Sequence, residues 1–323
     1  MILVVGATGQ LGTAVVRRLA ALGQPVRAFV RKGSRHEHLE PMGAELAFGD
    51  LREPDSVDAA CHGARVVVAT ANAVAPEGSS SFEAVEGRGY AALVSACERH
   101  GIEQIVFISV PVTPHDDSVP LFRYKRLTEQ RLRQSRLSYT ILQASLFMDD
   151  QYAFIGSRIP LRGAEAATLH RRYWFLQAFM KGVDGLIEKR GIALIPGSKR
   201  VRHAFIALDD VAEFMVRSIG RAEMYRTVTP IGGPQVLTWG EVAACYGRVL
   251  DKPVRTIHLP SGLFRVQRAL LAPLSEAASD IMGLNWLVGY DTPYDSNALA
   301  SNLGIRLTST EQFLRHKAGL PAA

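Results

Sequence analysis

Gly6, Gly9 and Gly12, in the run Gly6-Ala7-Thr8-Gly9-Gln10-Leu11-Gly12, are the residues of this sequence best suited to holding an anion. A G-x-x-G-x-x-G loop turns tightly and brings backbone N–H groups close to a ligand. It then hands over to a helix N-terminus whose unpaired donors and positive dipole favour a pyrophosphate. Alone, the pattern could be no more than a tight turn. Here it sits between an apolar run, Ile2 to Val5, and the helically spaced Leu11, Val15, Val16, Leu19 and Leu22. Strand, loop and helix thus follow in the order a dinucleotide site requires. At the end of the second strand stand Arg31, Lys32 and then Arg35, with no Asp or Glu between Gly23 and His36. An acidic residue there would accept from the ribose hydroxyls of NAD, whereas cations pair with the 2′-phosphate of NADP. The expected cofactor is therefore NADP(H), with NAD(H) as the weaker alternative. The expected contacts are Gly6, Thr8, Gly9, Gln10, Leu11, Gly12, Arg31 and Lys32.

A second polar stretch, Pro111 to Ser118, follows a strand and contains His115, Asp116 and Asp117. Ligands bind beyond the carboxyl ends of strands in open α/β sheets, so His115 could reach a substrate; the plainer reading is an exposed loop histidine. His-Asp-Asp in direct succession lacks metal-ligand spacing. Cys61, Cys97 and Cys245 stand far apart without a C-x-x-C pair, which speaks against a zinc site or a disulfide framework and for a reducing, cytoplasmic home.

The elements that would position these residues alternate. Strands are expected at Ile2 to Val5, Pro25 to Val30, Ala44 to Phe48, Val66 to Thr70, Ile105 to Ile108 and Tyr139 to Leu142. Helices are expected at Leu11 to Leu22, Ser56 to Cys61, Tyr90 to His100 and Leu121 to Gln134. That alternation predicts an α/β Rossmann fold, a doubly wound parallel sheet with helices on both faces, over residues 1–150. Residues 151–323 should form a smaller, mostly helical substrate-binding part, with 196–245 partly returning to the Rossmann core. Two apolar stretches lie in that part. One runs from Tyr173 to Ile187 beside Arg171, Arg172, Lys181 and Lys189, and reads as a helix on its own core, a dimer face, a lid or a membrane-touching face. The other, Leu263 to Val288, is interrupted by Pro273 and glycines, which argues against one continuous surface-lying helix. Thr238 and Glu241 form a capping box that starts a helix toward Leu250.

The 323 residues are 47% hydrophobic and 21% charged, which excludes a disordered chain and leaves ample length for a core. The net charge is +6 and 30 of the 37 basic residues are Arg, but they are scattered, so an anionic small ligand explains the balance better than a nucleic acid does. No apolar run is long enough to span a bilayer, and the first strand begins too early to leave room for a signal peptide.

Further motifs are Gly49-Asp50-Leu51, Val106-Phe107-Ile108-Ser109, Tyr124-Lys125 with Glu129, and Tyr139-Thr140-Ile141-Leu142 with Phe147-Met148. Asp209-Asp210-Val211-Ala212 and Gly232-Gly233-Pro234 with Leu237-Thr238 follow. Together with the glycine loop they resemble the NmrA-like group of atypical short-chain dehydrogenases/reductases, which includes isoflavone reductase-like enzymes and quinone reductases. The resemblance implies that Asp50 and Leu51 lie near the adenine, that Thr70, Ala71 and Asn72 line the cofactor, and that Ser109 faces the nicotinamide. It singles out Lys125, which in the wider superfamily follows a proton-donating Tyr by one helical turn. Here that position is Leu121, and Tyr124 lies about 100° round the helix from Lys125.

Two readings follow. In the first, the chain is an NADPH-dependent reductase passing hydride to a conjugated or aromatic carbonyl-type substrate or a quinone. Lys125 and Ser109 would then be catalytic, Lys125 also a cofactor anchor, and the protein a monomer or homodimer. In the second, it binds NADP(H) as a redox sensor or assembly factor acting through a protein partner, which the loss of Tyr at position 121 favours.

Overall fold

The computed structural model describes residues 1–72, 81–163 and 174–321. Arg171, Arg172 and Tyr173 lie outside them. In chain order the main elements are β1 (Ile2–Val5), α1 (Gln10–Ala21), β2 (Val26–Val30), β3 (Glu45–Phe48), α2 (Pro54–Cys61), β4 (Val66–Ala69), α3 (Tyr90–Arg99), β5 (Gln104–Ser109), α4 (Pro120–Gln134) and β6 (Ser138–Ala144). They continue as α5 (Met148–Phe154), α6 (Trp174–Val183), α7 (Leu186–Arg190), β7 (Ile192–Pro196), β8 (Arg202–His203), α8 (Leu208–Arg217), β9 (Thr227–Ile231), β10 (Leu237–Thr238) and α9 (Trp239–Leu250). The last are β11 (Arg255–Leu259), α10 (Ser261–Leu271), α11 (Glu276–Leu287), α12 (Asn297–Leu303) and α13 (Thr310–Ala318).

The chain divides into two compact units, residues 1–143 with 211–230 and residues 144–210 with 231–323. The stretch that rejoins the first unit, 211–230, lies within 196–245. The first unit is built on a seven-stranded sheet in the order β3-β2-β1-β4-β5-β6-β9, with every pair from β3 to β6 parallel. This is the α/β Rossmann sheet that the alternating pattern predicts. Apolar residues fill both faces of its central strands, as a sheet covered by helices on two sides requires. Leu3, Val5, Val67, Ala69, Ile105 and Phe107 share one core with Tyr90, Leu93 and Cys97 of α3. The intervening Ile2, Val4, Val66, Val68 and Val106 are equally buried on the opposite face. Order reverses between β1 and β4, and at such a switch point the strand ends open a crevice. Val5 pairs there with Ala69, which puts Gly6 and Thr70 side by side.

The second unit packs Met148 and Tyr152 of α5, Trp239 and Tyr246 of α9 and Phe313 and Leu314 of α13 in one core with Phe205. Phe205 and Trp239 meet edge-on at 4.7 Å, and the Tyr152 hydroxyl lies 2.7 Å from Thr310 Oγ1. The Thr238–Glu241 capping box opens α9. His203 is buried, with Nδ1 2.9 Å from Thr292 Oγ1 and Nε2 3.1 Å from Val288 O, and burial lowers its pKa to about 4. The stripe read as one helix up to Ile187 is two, because Gly185 takes φ 62° between α6 and α7. The 263–288 stretch likewise divides around Pro273 into α10 and α11. No helix among the described residues is long and apolar enough to cross a membrane.

Candidate functional site

The glycine loop leaves β1 and enters α1 with Gly9 as N-cap and no side chain capping the helix. The first-turn N–H groups of α1 are therefore not taken by a capping side chain, the arrangement suited to a pyrophosphate. Gly6 has φ 87°, and a Cβ on it would fall 2.5 Å from Ala71 N, so the loop and the end of β4 come together only because Gly6 has no side chain. Gly12 permits a still closer approach within the loop, since its Cβ would lie 2.1 Å from Gly6 O. Thr70 donates through Oγ1 to Val5 O at 3.0 Å, and Thr13 donates to Ala7 O at 3.0 Å, which ties the loop to both flanking elements. Thr8, Gln10, Leu11, Ala71 and Asn72 occupy this same corner through chain adjacency.

Beside it lies an open cleft of about 550 Å³ lined by Arg31, Lys32, Gly33, Phe48, Gly49, Asp50, Arg52 and Glu53. Arg31 and Lys32 are exposed at the end of β2, so their charges face solvent. Asp50 is different. Arg52 grips it with Nε 3.0 Å from Oδ1 and Nη2 2.8 Å from Oδ2, while Arg52 N donates to Oδ1 at 2.9 Å. Burial raises the Asp50 pKa, but the hydrogen bonds and charge of Arg52, with the charge of Arg31, outweigh it and hold the carboxyl below the ordinary range. Asp50 is thus compensated, and with Glu53 the second lining carboxylate, Arg31, Lys32 and Arg52 leave the cleft net cationic. Leu51 beside it is buried. Arg52 is outside the motifs of the sequence, although an Asp followed by Arg two residues on is a readable signal.

The other end of the candidate site has the opposite character. Lys125 is 2% exposed and Glu86 is fully buried, with Nζ 3.4 Å from Glu86 Oε2. The same ammonium lies 3.3 Å from Ala71 O, over the faces of Phe107 at 4.8 Å and Tyr90 at 5.1 Å. Tyr90 donates to Ala71 O at 2.5 Å, and burial first, with the Glu86 charge second, raises its pKa well above the ordinary phenol value. It therefore keeps its proton. Glu86 is delivered by a π-helical turn, Glu83–Gly89, that runs directly into α3. Such wide turns are rare and often found at functional sites. Leu121 is buried at the position where the superfamily places Tyr. Tyr124 packs instead on the π turn, where a Cβ at Gly87 would come within 3.0 Å of its ring.

Ser109, at the end of β5, is 4% exposed and donates to Glu129 Oε1 at 2.5 Å. Glu129 also receives Gln143 Nε2 at 3.0 and 3.1 Å and pairs with Arg126 Nη1. Arg126 in turn reaches Asp116 Oδ2 at 2.7 Å and the carbonyls of Val110 and Pro111 at 2.9 and 2.6 Å. The loop after β5 is thereby clamped to α4, with Asp116 as its staple through Thr113 N and Oγ1. Among the described residues no group of three or more His, Cys, Asp or Glu could hold a metal ion.

A strand-loop-helix corner with uncapped helix donors beside a net cationic cleft is the arrangement of an NAD(P)H-binding Rossmann protein. The chain belongs to the NmrA-like family of atypical short-chain dehydrogenases/reductases: an NAD(P)H-binding family model matches residues 6–166. It is 37% identical over 272 residues to a Photosystem II assembly factor, Ycf39, of Cyanophora paradoxa, covering 83% of this chain and 74% of that protein. It is 26% identical to an NAD(P)H azoreductase of Xenophilus azovorans, over 80% of this chain and 76% of the other. Among solved structures, a Citrobacter sp. triphenylmethane reductase complexed with NADP(H) shares the fold with a TM-score of 0.71 at 19% identity, covering 98% of this chain and all of the other.

Proposed function

We propose that this chain is an NADP(H)-binding sensor or assembly factor that acts through a protein partner and has little reductase turnover of its own. The observation that carries the reading is the state of the two candidate catalytic side chains. Lys125 is committed to buried Glu86 and Ser109 to buried Glu129, and Leu121 replaces the usual proton donor. Likeness to an assembly factor over most of both chains points the same way. NADP(H) is preferred over NAD(H) because Arg31 and Lys32 are exposed on the cleft while Arg52 neutralises Asp50. In this role the glycine loop holds the pyrophosphate on α1. Thr70 to Asn72 and Leu51 flank the dinucleotide, and Lys125 anchors rather than transfers protons. Hydride chemistry belongs to the nicotinamide when it is bound.

A reductase acting on a quinone, or on a conjugated or aromatic carbonyl-type substrate, is the second reading, favoured by retention of Lys125 close to Ala71 O and by likeness to an azoreductase. The two are separated by capture of partners with the intact chain and with Gly12→Val, whose added side chain closes the loop. The proposal expects a defined partner retained by the NADPH-loaded protein and lost by the variant. Equal capture by both, together with substrate-dependent NADPH oxidation by the intact chain, would replace it with the reductase.

A further inference from the structure

Within the second unit, α10 carries an apolar face that no other described element covers. Leu263 is 43% exposed, Val266 58%, Leu270 67% and Leu274, in the turn just beyond the helix, 79%. The last three are the most exposed large apolar side chains among the described residues. The spacing of Leu263, Val266 and Leu270, with exposed Ala269 beside them, places these three on one stripe of the helix, and Leu274 follows in the turn. Phe264 points the other way, is buried, and anchors α10 to the unit. Ile257, 48% exposed, adds a further apolar side chain on the strand that leads into the helix.

The charges within this segment of the chain have one sign. From Lys252 to Ser275 the chain contains Lys252, Arg255, Arg265 and Arg268 and no Asp or Glu; the nearest carboxylates in sequence are Asp251 and Glu276 at its two ends. Arg255 and Arg265 are exposed, and Arg265 lies over the Trp286 ring at 5.6 Å on the flank of the helix. A helix with protruding leucines, no acid and flanking arginines is complementary to an anionic lipid surface: the leucines enter the acyl boundary and the guanidinium groups meet headgroup phosphates. Leucines standing this far clear of the protein suit insertion between lipids better than they suit a flat protein face.

We propose that α10 and the turn through Leu274 form a peripheral docking surface for anionic membranes, lying in the headgroup plane without crossing the bilayer. Pro273 does not oppose this arrangement, because it falls after the helix has ended.

The test is sedimentation of the purified full chain with vesicles of phosphatidylcholine alone and of phosphatidylcholine mixed with phosphatidylglycerol. The chain should pellet with the anionic vesicles, remain in solution with the neutral ones, and be released by high salt. The double variant Leu270→Glu/Leu274→Glu should lose at least about tenfold in partitioning, and Arg255→Glu/Arg265→Glu should weaken binding to the anionic vesicles. Both pairs are exposed, and unchanged NADPH affinity will show that the variants are folded. The proposal is overturned if the intact chain stays in solution with anionic vesicles, or if the leucine variant pellets as the intact chain does. It is equally overturned if the intact chain forms a concentration-dependent dimer, without vesicles, that the leucine variant cannot form; the face then belongs to a second copy.

Discussion

The two ends of the candidate cofactor site treat charge in opposite ways. At the cleft end, Arg31 and Lys32 stand in solvent beside Asp50, which is already paired with Arg52. At the end carrying Lys125 and Ser109, each charge or hydroxyl is turned inward, onto Glu86 and Glu129. An exposed cation keeps its full capacity for a new anion. A buried ammonium with a carboxylate at 3.4 Å must lose part of that pairing before it does anything else. The same fold can thus retain dinucleotide recognition while its proton-handling groups serve structure.

Substitutions at the two ends should separate these roles. The largest effect belongs to Lys125→Met, which leaves Glu86 buried without its ammonium. Denaturant unfolding should show a loss of about 3–5 kcal/mol, much of it recovered when Glu86→Gln is added. If Lys125→Met is as stable as the intact chain, the inward pairing is not a structural one. Gly12→Ala comes next: its Cβ meets backbone 2.1 Å away, so about 1–3 kcal/mol of stability and at least tenfold in NADPH affinity should be lost, by melting and by fluorescence titration.

At the open end, Arg31→Glu should raise the NADPH dissociation constant about tenfold to a hundredfold while changing that of NADH by less than about threefold. Equal loss for both cofactors would mean that Arg31 does not meet the 2′-phosphate. Ser109→Ala should be the mildest, costing about 1 kcal/mol of stability with little change in cofactor affinity; a large fall in NADPH binding would place its hydroxyl on the cofactor instead.

Much of the open end is legible in the sequence because its signals are local. Apolar Ile2 to Val5, three glycines and a helical stripe follow one another, and Arg31-Lys32 falls where β2 ends. The closed end is less so. Lys125 and Ser109 stand out only through family resemblance, and their partners are set by packing between distant segments. Glu86 reaches Lys125 through a π turn, an irregularity with no hydrophobic period to announce it, and Gln143 reaches Glu129 only because β6 lies beside β5. Apolar periodicity carries across Gly185, so the stripe ending at Ile187 reads as one helix, although Asp184-Gly185 is itself a turn signal. Cys61 and Cys97 look unrelated in the chain, yet both are buried in one core where α2 meets α3.

The most direct test of the account is the near-ultraviolet absorbance of NADPH bound to the purified chain, followed after separate addition of quinones, azo compounds, enones and aromatic carbonyl compounds. The account predicts tight NADPH binding and no oxidation above the protein-free rate with any of them. Oxidation that depends on one substrate class, and that Lys125→Ala abolishes while NADPH still binds, would contradict it and return Lys125 to the chemistry.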